Sequence, residues 1–505
     1  EKAFFCYQRY LIWGLPLLMN VKKVCLLSSV AWVGVLFSAA LYYHADNVSI
    51  YAMKNDIQPI HHHSSKQKNV TSTSMQDILH YCRPPSSINA GSEGMVCKDY
   101  KLESVNIIIR HGDRSSFYKV RNFSDVSCHS KSRDNFHKHL LSSFKLYMND
   151  PLFKHGLGQT VRGFNDPVFL KSAFSQACQV GQLTEIGLLQ GLILGHKLAK
   201  AYRLNNDKLL NPDKFNKVLV FSTSNQRTLL TSLALLFGLA PQFDSKYVVY
   251  IPVTSPFFCF KSCHCPLLTS LNQKNKKSAR KFLDSHQEVV SSVKALSKVM
   301  APPNAPFTLS TPQDIRDASL LYACHNGLFP CIQSDANRSC VEKEELNRVL
   351  SYTELELKVI DDYKTSLLLS HGLISQVVKT MAQTLKKKEP KLVIYSGHDL
   401  TLTAILKALD IFSGYPTYMS RLIFELYSAD KKNNDSGSYF RVLYEGKDYT
   451  SQLRFCKDSL RFTNQSVSGS TRPHIWLCPL NNLTSFIAHS FEDIGTKNFQ
   501  GACGG

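Results

Sequence analysis

Three short polar clusters carry residue types suited to handling a phosphate. The first is Ile109-Arg110-His111-Gly112-Asp113-Arg114. The second is Phe221-Ser222-Thr223-Ser224-Asn225-Gln226-Arg227-Thr228, and the third is Tyr395-Ser396-Gly397-His398-Asp399. Together they bring three Arg, two His and at least one carboxylate. That inventory fits phosphoryl transfer. A phosphoryl group in flight presents equatorial oxygens that guanidinium forks satisfy bidentately, and such clamps stabilise charge that grows toward the transition state. A neutral imidazole is a competent nucleophile near neutral pH. Two roles remain, a donor on the transferring group and an acid for the departing alkoxide. His111, His398 and Asp399 can fill all three without metal or cofactor. Gly112 is expected to let the backbone approach the anion closely, and Asp113 receives no role. Taken singly, an Arg-His pair after a strand reads as a surface turn, and a His-Asp pair before a helix as an N-cap. It is the co-occurrence of three clusters, each at a strand end, that carries the chemical reading.

These clusters need a scaffold that brings strand ends together. Val105–Ile109, Val218–Phe221, Leu392–Tyr395, Arg421–Leu426 and Phe440–Tyr444 read as strands, and the first three are near-continuous apolar runs, as for strands covered on both faces. Helical periods appear over Thr184–Ala199, Thr228–Phe237 (closed by Gly238), Gln287–Val299, Glu342–Thr384 in at least two pieces, and Leu400–Leu409. The alternation predicts an α/β core whose ligands gather at the carboxyl ends of its strands. The intervals 115–215 and 255–385 are mostly helical in pattern and predict a helical cap. No internal repeat is present.

The motifs also resemble a known family. Arg110-His111-Gly112-Asp113-Arg114 is similar to the RHGxR signature of histidine acid phosphatases, and Ser396-Gly397-His398-Asp399 to their later HD motif. Ser222 to Thr228 resembles the S-T-x-x-x-R-T segment, and Leu183-Thr184-Glu185-Ile186-Gly187 the L-T-x-x-G helix start. The resemblance implies the histidine-phosphatase (phosphoglycerate-mutase-like) fold, a mixed sheet flanked by helices with a mostly helical cap. It implies His111 as the nucleophile of a phosphohistidine intermediate and Asp399 as proton donor. Arg110, Arg114, Arg227 and His398 would hold the phosphate. One departure is Ser116, where the family usually has Pro; loss of a fixed φ is expected to loosen that loop. Within the family, Phe257-Phe258-Cys259-Phe260-Lys261-Ser262-Cys263-His264-Cys265-Pro266 and Cys324-His325-Asn326-Gly327-Leu328-Phe329-Pro330-Cys331 resemble the Golgi branch acting on 2-phosphoxylose. That likeness runs from about Tyr81 to Cys503. It implies removal of the 2-O-phosphate from xylose in the proteoglycan linkage region, with glycosaminoglycan-synthesising transferases as candidate partners.

Composition adds a compartment. The 505 residues carry 59 Lys+Arg against 39 Asp+Glu, a formal charge of +20, with 44% apolar residues. Wholesale disorder, collagen and coiled coil are excluded, and the surplus charge favours an anionic partner. Residues 24–43 form an uncharged run preceded by Lys22 and Lys23, long enough at about 1.5 Å per residue to cross the hydrocarbon core. The positive-inside rule then places the body in the lumen; a cleaved signal peptide is the competing reading. Met19 looks like a natural start, and 1–18 is expected to be misjoined upstream sequence. The expected order is thus a cytosolic tail over 1–23, an anchor over 24–43, a stem over 44–80 and a catalytic body over 81–505. Seven sequons (Asn47, Asn69, Asn122, Asn337, Asn434, Asn464, Asn482) all follow the anchor. Of 15 Cys, 13 lie beyond it; disulfides are preferred over zinc for them.

The basic runs Lys274–Lys281 and Lys386-Lys387-Lys388 read as solvated helix faces or as attractors of polyanions. Nucleic acid is not expected as a partner, since the body is luminal and no recognition motif is present. Three readings stay open: a type II Golgi phosphatase for xylose 2-phosphate, a membrane-anchored acid phosphatase for another monoester, and a non-catalytic luminal glycan binder.

Overall fold

The structure is a computed structural model that describes residues 73–505 apart from 96–98, 152–177, 204–217, 242–247, 259–263, 306–308, 326, 334–337, 361, 388, 430–436, 464–474 and 505. The anchor and most of the stem lie outside the described residues, and among the described residues no helix is long and apolar enough to cross a membrane.

The strands are β1 (Tyr100–Arg110), β2 (Val218–Thr223), β3 (Val248–Val253), β4 (Cys331–Gln333), β5 (Arg338–Cys340), β6 (Leu392–Gly397), β7 (Arg421–Ala429), β8 (Ser438–Tyr444), β9 (Lys447–Asp448), β10 (Arg461–Thr463) and β11 (Ile475–Pro479). All but the small β4–β5 ribbon form one mixed sheet in the order β10-β11-β8-β7-β1-β6-β2-β3, with β9 beside β8. β1, β6, β2 and β3 run parallel, while β7, β8 and β11 continue the sheet antiparallel from β1. All five strands expected from sequence are present. β3 was missed, because Pro252 interrupts its run.

Period-two alternation sends consecutive side chains to opposite faces. Ile107 and Ile109 of β1 join one core with Val220 and Ile394, under the Glu185–Arg203 and Gln226–Leu239 helices. Ile108 joins the other with Phe221, Val393 and Tyr395, under the Tyr363–Lys387 and Asp399–Ala408 helices. Both faces of the central parallel strands are therefore covered, which is why they read as unbroken apolar runs. The Gln226–Leu239 helix does not stop at Gly238: a Cβ there would meet Leu192 O of the neighbouring helix, so this glycine serves helix packing rather than termination.

The cap is narrower than the intervals 115–215 and 255–385. Helices Asn135–Asn149, Glu185–Arg203 and Tyr363–Lys387 contribute Phe144, Leu192 and Val377 to the two sheet cores. A separate core holds the cap, from helices Gln287–Met300, Pro312–Cys324 and Lys343–Val359. The folded body also begins before residue 81. A Thr73–Cys82 helix delivers Ile78 and Tyr81 to the cap core, and Cys82 is joined to Cys324.

All ten described cysteines are in disulfides, the others being Cys128–Cys178, Cys265–Cys503, Cys331–Cys340 and Cys456–Cys478. Cys265 is thus committed to the chain's C-terminal end and not to a Cys259/Cys263 metal cluster. Of the sequons, Asn122 is exposed in a turn, whereas the Asn482 amide donates to Phe455 O and Ser459 Oγ. A glycan on Asn482 would forfeit those bonds.

Candidate active site

The three polar clusters leave the sheet at one edge. Arg110 sits opposite Gly397, and Ser222 opposite Ser396, on adjacent parallel strands, so their carboxyl ends open on the same crevice. The His111 amide donates to Gly397 O at 3.0 Å, and the rings of His111 and His398 meet edge to face with centroids 5.5 Å apart.

His111 is only 2% exposed. Its Nδ1 lies 2.8 Å from Gly112 O. A carbonyl can only accept, so Nδ1 carries the hydrogen and Nε2 keeps a lone pair. Burial, then the charges of Arg227 and Arg110, hold the imidazole pKa well below its usual value. The ring is therefore neutral where an ordinary imidazole would protonate. His398 is drawn down to about 4 by burial and then by Arg227, and its Nε2 lies 2.9 Å from Thr223 Oγ1. The Thr228 hydroxyl donates to main-chain carbonyls, leaving Thr223 free to donate to Thr228 and receive the His398 Nε2–H.

The guanidiniums surround these rings. Arg110 Nη1 donates to Pro416 O at 2.7 Å, its Nη2 lies 3.2 Å from Asp399 Oδ2, and its carbon sits 4.4 Å from the Tyr418 ring centroid. Arg114 lies 3.5 Å over the Phe117 ring and pairs with Asp317 at 2.7 Å. Arg227 approaches the same Phe117 ring at 5.0 Å. Burial and repulsion from Arg114 lower its pKa to about 10, still cationic at neutral pH. The Nε–H groups of Arg110, Arg114 and Arg227 are all buried without a hydrogen-bond partner among the described residues. Such donors cost about 1–3 kcal/mol each until an acceptor meets them. Four guanidiniums, counting Arg316 stacked 3.9 Å from the Tyr415 ring, face the carboxylates of Asp399 and Asp317. The net of two positive charges complements a phosphate monoester dianion.

Asp399 stands at the first turn of the Asp399–Ala408 helix. Burial pushes its pKa up, but Arg110, the Tyr415 hydroxyl that donates to Oδ2, and Arg316 outweigh it and hold the carboxyl well below the usual range. The carboxylate is therefore ionised at neutral pH.

A model of the histidine phosphatase superfamily (branch 2) matches residues 101–445. The chain is a branch 2 histidine phosphatase. It is accordingly a phosphoric monoester hydrolase. It is 30% identical over 437 residues to 2-phosphoxylose phosphatase 1 of Xenopus tropicalis, covering 84% of this chain and 81% of that one. With the human protein of the same name it shares 28% over 442 residues, 85% and 86% of the two chains. Lysosomal acid phosphatase of Xenopus laevis is 28% identical over 310 residues, 57% and 68% of the two chains.

Three details of the phosphatase differ from the sequence reading. Gly112 faces the Leu183–Gly187 segment, where a Cβ would meet Gly187 O at 2.5 Å; it is small so that the catalytic loop packs on the helix behind it. Ser116 does not loosen its loop. Its hydroxyl donates to Asp317 Oδ2 at 2.9 Å, beside the Phe117 amide at 2.7 Å, replacing a fixed dihedral with a pinned one. Asp113 does have a place: it pairs with His325 Nε2 at 2.9 Å, both side chains 1% exposed, and accepts from Thr184 Oγ1.

Asp317, Arg316, Phe117, Tyr415 and Tyr418 escaped the sequence reading. Arg316 and Asp317 come from the cap helix that Thr311 and Asp314 cap reciprocally, too far along the chain for any local motif. Tyr415 and Tyr418 had a usable signal. They precede β7, and an antiparallel strand begins at the edge where its neighbour β1 ends.

Two predictions arise at these contacts. Asp317→Ala leaves Arg114 buried without its counter-ion, so it should destabilise the fold by on the order of 3 kcal/mol and raise KM for a phosphomonoester about tenfold by freeing the guanidinium. Urea unfolding and steady-state kinetics test both. His325 is opposed by burial, but Asp113 outweighs that and raises its pKa. The resulting stability is fully present below the unfolded imidazole value of about 6.5 and is lost as pH rises through the higher folded value. Wild-type unfolding free energy should therefore fall on going from mildly acidic to alkaline pH, while His325→Gln starts lower and lacks that component. Parallel slopes for the two proteins would refute the pairing.

Proposed function

We propose that the phosphatase removes the 2-O-phosphate from xylose in the glycosaminoglycan–protein linkage region, as a type II Golgi enzyme anchored through residues 24–43. The carrying observation is the likeness over most of both chains to proteins named 2-phosphoxylose phosphatase 1, together with a site whose charge suits a phosphate dianion. Elongation of the proteoglycan chain, and association with the transferases that build it, follow from that substrate.

His111 Nε2 attacks phosphorus in line, and the phosphorus–oxygen ester bond breaks as Asp399 gives its proton to the sugar oxygen. Arg110, Arg114 and Arg227 take up the equatorial oxygens with their partnerless Nε–H groups. His398, its ring centroid 5.5 Å from that of His111, reaches the phosphoryl group by releasing Thr223. Asp399 starts ionised and takes its proton from solvent as the substrate binds: the dianion's oxygens compete for Arg110 and thereby raise the carboxyl's proton affinity. Water then attacks the phosphohistidine, Asp399 accepts its proton, and inorganic phosphate leaves. Because burial and the charges of Arg227 and Arg110 hold the His111 pKa well below its usual value, its ring resonances should not titrate when the pH of the free enzyme falls from 7 to 5, as followed by NMR against His111→Ala. A titration centred near the ordinary imidazole value would mean an unshifted nucleophile.

The deciding assay incubates the full chain with phosphorylated linkage tetrasaccharide and, separately, with small aryl and sugar monoesters. Phosphate release from the tetrasaccharide at a higher kcat/KM supports the assignment. Release from small monoesters alone moves the enzyme to the broader acid-phosphatase reading.

A further inference from the structure

A second cleft, of about 1020 Å³, is lined in part by Tyr415, whose ring centroid lies 5.1 Å from the Arg110 guanidinium carbon. Its walls come from the end of the Thr73–Cys82 helix, the cap helix Lys343–Val359, the 413–420 loop and the β8–β9 hairpin. At least four segments distant in sequence converge there, and the convergence is held by strained backbone. Arg83, Met419 and Glu445 are all left-handed, with φ of 46°, 58° and 52°. They hold one another: Arg83 pairs with Glu445, and its Nη1 donates to Met419 O at 3.1 Å. Non-glycine residues in this region are uncommon, and each needs its surroundings to over-determine it. Three linked through Arg83 beside one cleft mark a built site.

The chemistry of the walls sets the ligand class. Tyr415 and Tyr449 are partly buried and line it, giving aromatic surface, while the Tyr415 hydroxyl is engaged with Asp399. Asn347, Ser351 and Glu354 line the helix side, offering both donors and acceptors. Two cations, Arg83 and Lys447, line it together with two carboxylates, Glu354 and Glu445, and Arg83 pairs with Glu445. The cleft therefore lacks the excess positive charge of the arginine cluster, so it does not suit a phosphate. Nor does it have the continuous apolar wall a lipid requires. Apolar ring faces, alternating donors and acceptors and a near-balanced charge match a polyhydroxylated, uncharged ring system. The volume sits at the upper end of the roughly 300–1000 Å³ of small-molecule sites, so it has room for more than one sugar.

We propose that this cleft is a carbohydrate-binding site, separate from the phosphate site, that takes a neutral stretch of an oligosaccharide chain. A sugar there lies against Tyr415, whose hydroxyl donates to Asp399, so the bound chain is one side chain away from the reacting carboxylate. The proposal does not depend on which phosphomonoester the arginine cluster hydrolyses.

Binding is tested on the full chain with orthovanadate saturating the phosphate site, titrating unphosphorylated linkage tetrasaccharide and following saturation-transfer NMR and calorimetry. Saturable binding that persists under vanadate is expected. Ser351→Trp, at an exposed helix position where the indole fills the cleft, and Asn347→Ala should each weaken it about tenfold while hydrolysis of an aryl phosphate stays at the wild-type rate. No binding at millimolar sugar, displacement of the sugar by vanadate, or binding unchanged in both variants would overturn the site. None of these outcomes is altered by failure to release phosphate from xylose 2-phosphate, which bears only on the proposed substrate.

Discussion

His111→Ala is expected to abolish phosphate release, lowering kcat by on the order of 10⁴-fold or more with the fold retained. The loss is this large because, among the described residues, no other group placed in the crevice duplicates the Nε2 lone pair. His398, whose ring centroid is 5.5 Å away, has its Nε2 hydrogen directed at Thr223. The fold should survive because the ring belongs to none of the apolar cores and its hydrogen bond is local, to Gly112 O. Removing it relieves a neutral imidazole packed among cations, so thermal unfolding should change little. Rapid quenching with a labelled monoester supplies the chemical readout. Wild type should yield an acid-labile, base-stable phosphoenzyme, and the variant none. A labelled protein in the variant would move the nucleophile elsewhere.

The nucleophile is legible in the sequence, and the reason is physical. Arg110-His111, Arg227 and His398-Asp399 sit directly at the ends of apolar strand runs, and strand ends of a parallel sheet share an edge. Short-range patterning was thus enough to place β1, β2, β6 and their loops. It failed where position depends on tertiary contact. Nothing local about Asp317 distinguishes it from other acidic residues on a helix; its role exists only because the cap core sets that helix over Ser116 and Arg114. Helices Glu185–Arg203 and Tyr363–Lys387 were assigned to the cap because helical periodicity reports an apolar face without reporting what it meets. The packing role of Gly112 is hidden for a similar reason. Its need for a missing Cβ is visible in sequence, but the object it makes room for, the Gly187 carbonyl, lies on a helix seventy-five residues further on.

Asp399→Asn is expected to separate substrates by leaving group. A sugar alkoxide is a poor leaving group and needs a proton in the transition state, so loss of the acid should slow its release by about 10²–10⁴-fold. An activated aryl phosphate departs as a stable phenolate and should lose far less in the phosphorylation step. The substitution is nearly isosteric, but its electrostatics are not neutral. In wild type the carboxylate offsets Arg110 at 3.2 Å and accepts from Tyr415; the amide oxygen keeps the Tyr415 bond while the charge is lost. The arginine cluster then gains one net positive charge, so phosphate, the anionic product, should bind more tightly and its release become slower. Two signatures follow together: a steep dependence of single-turnover rate on leaving-group pKa, and a lower inhibition constant for inorganic phosphate. Equal loss on sugar and aryl esters, measured in single turnovers to exclude product release, would remove Asp399 from the acid role and leave it a counter-ion that positions Arg110.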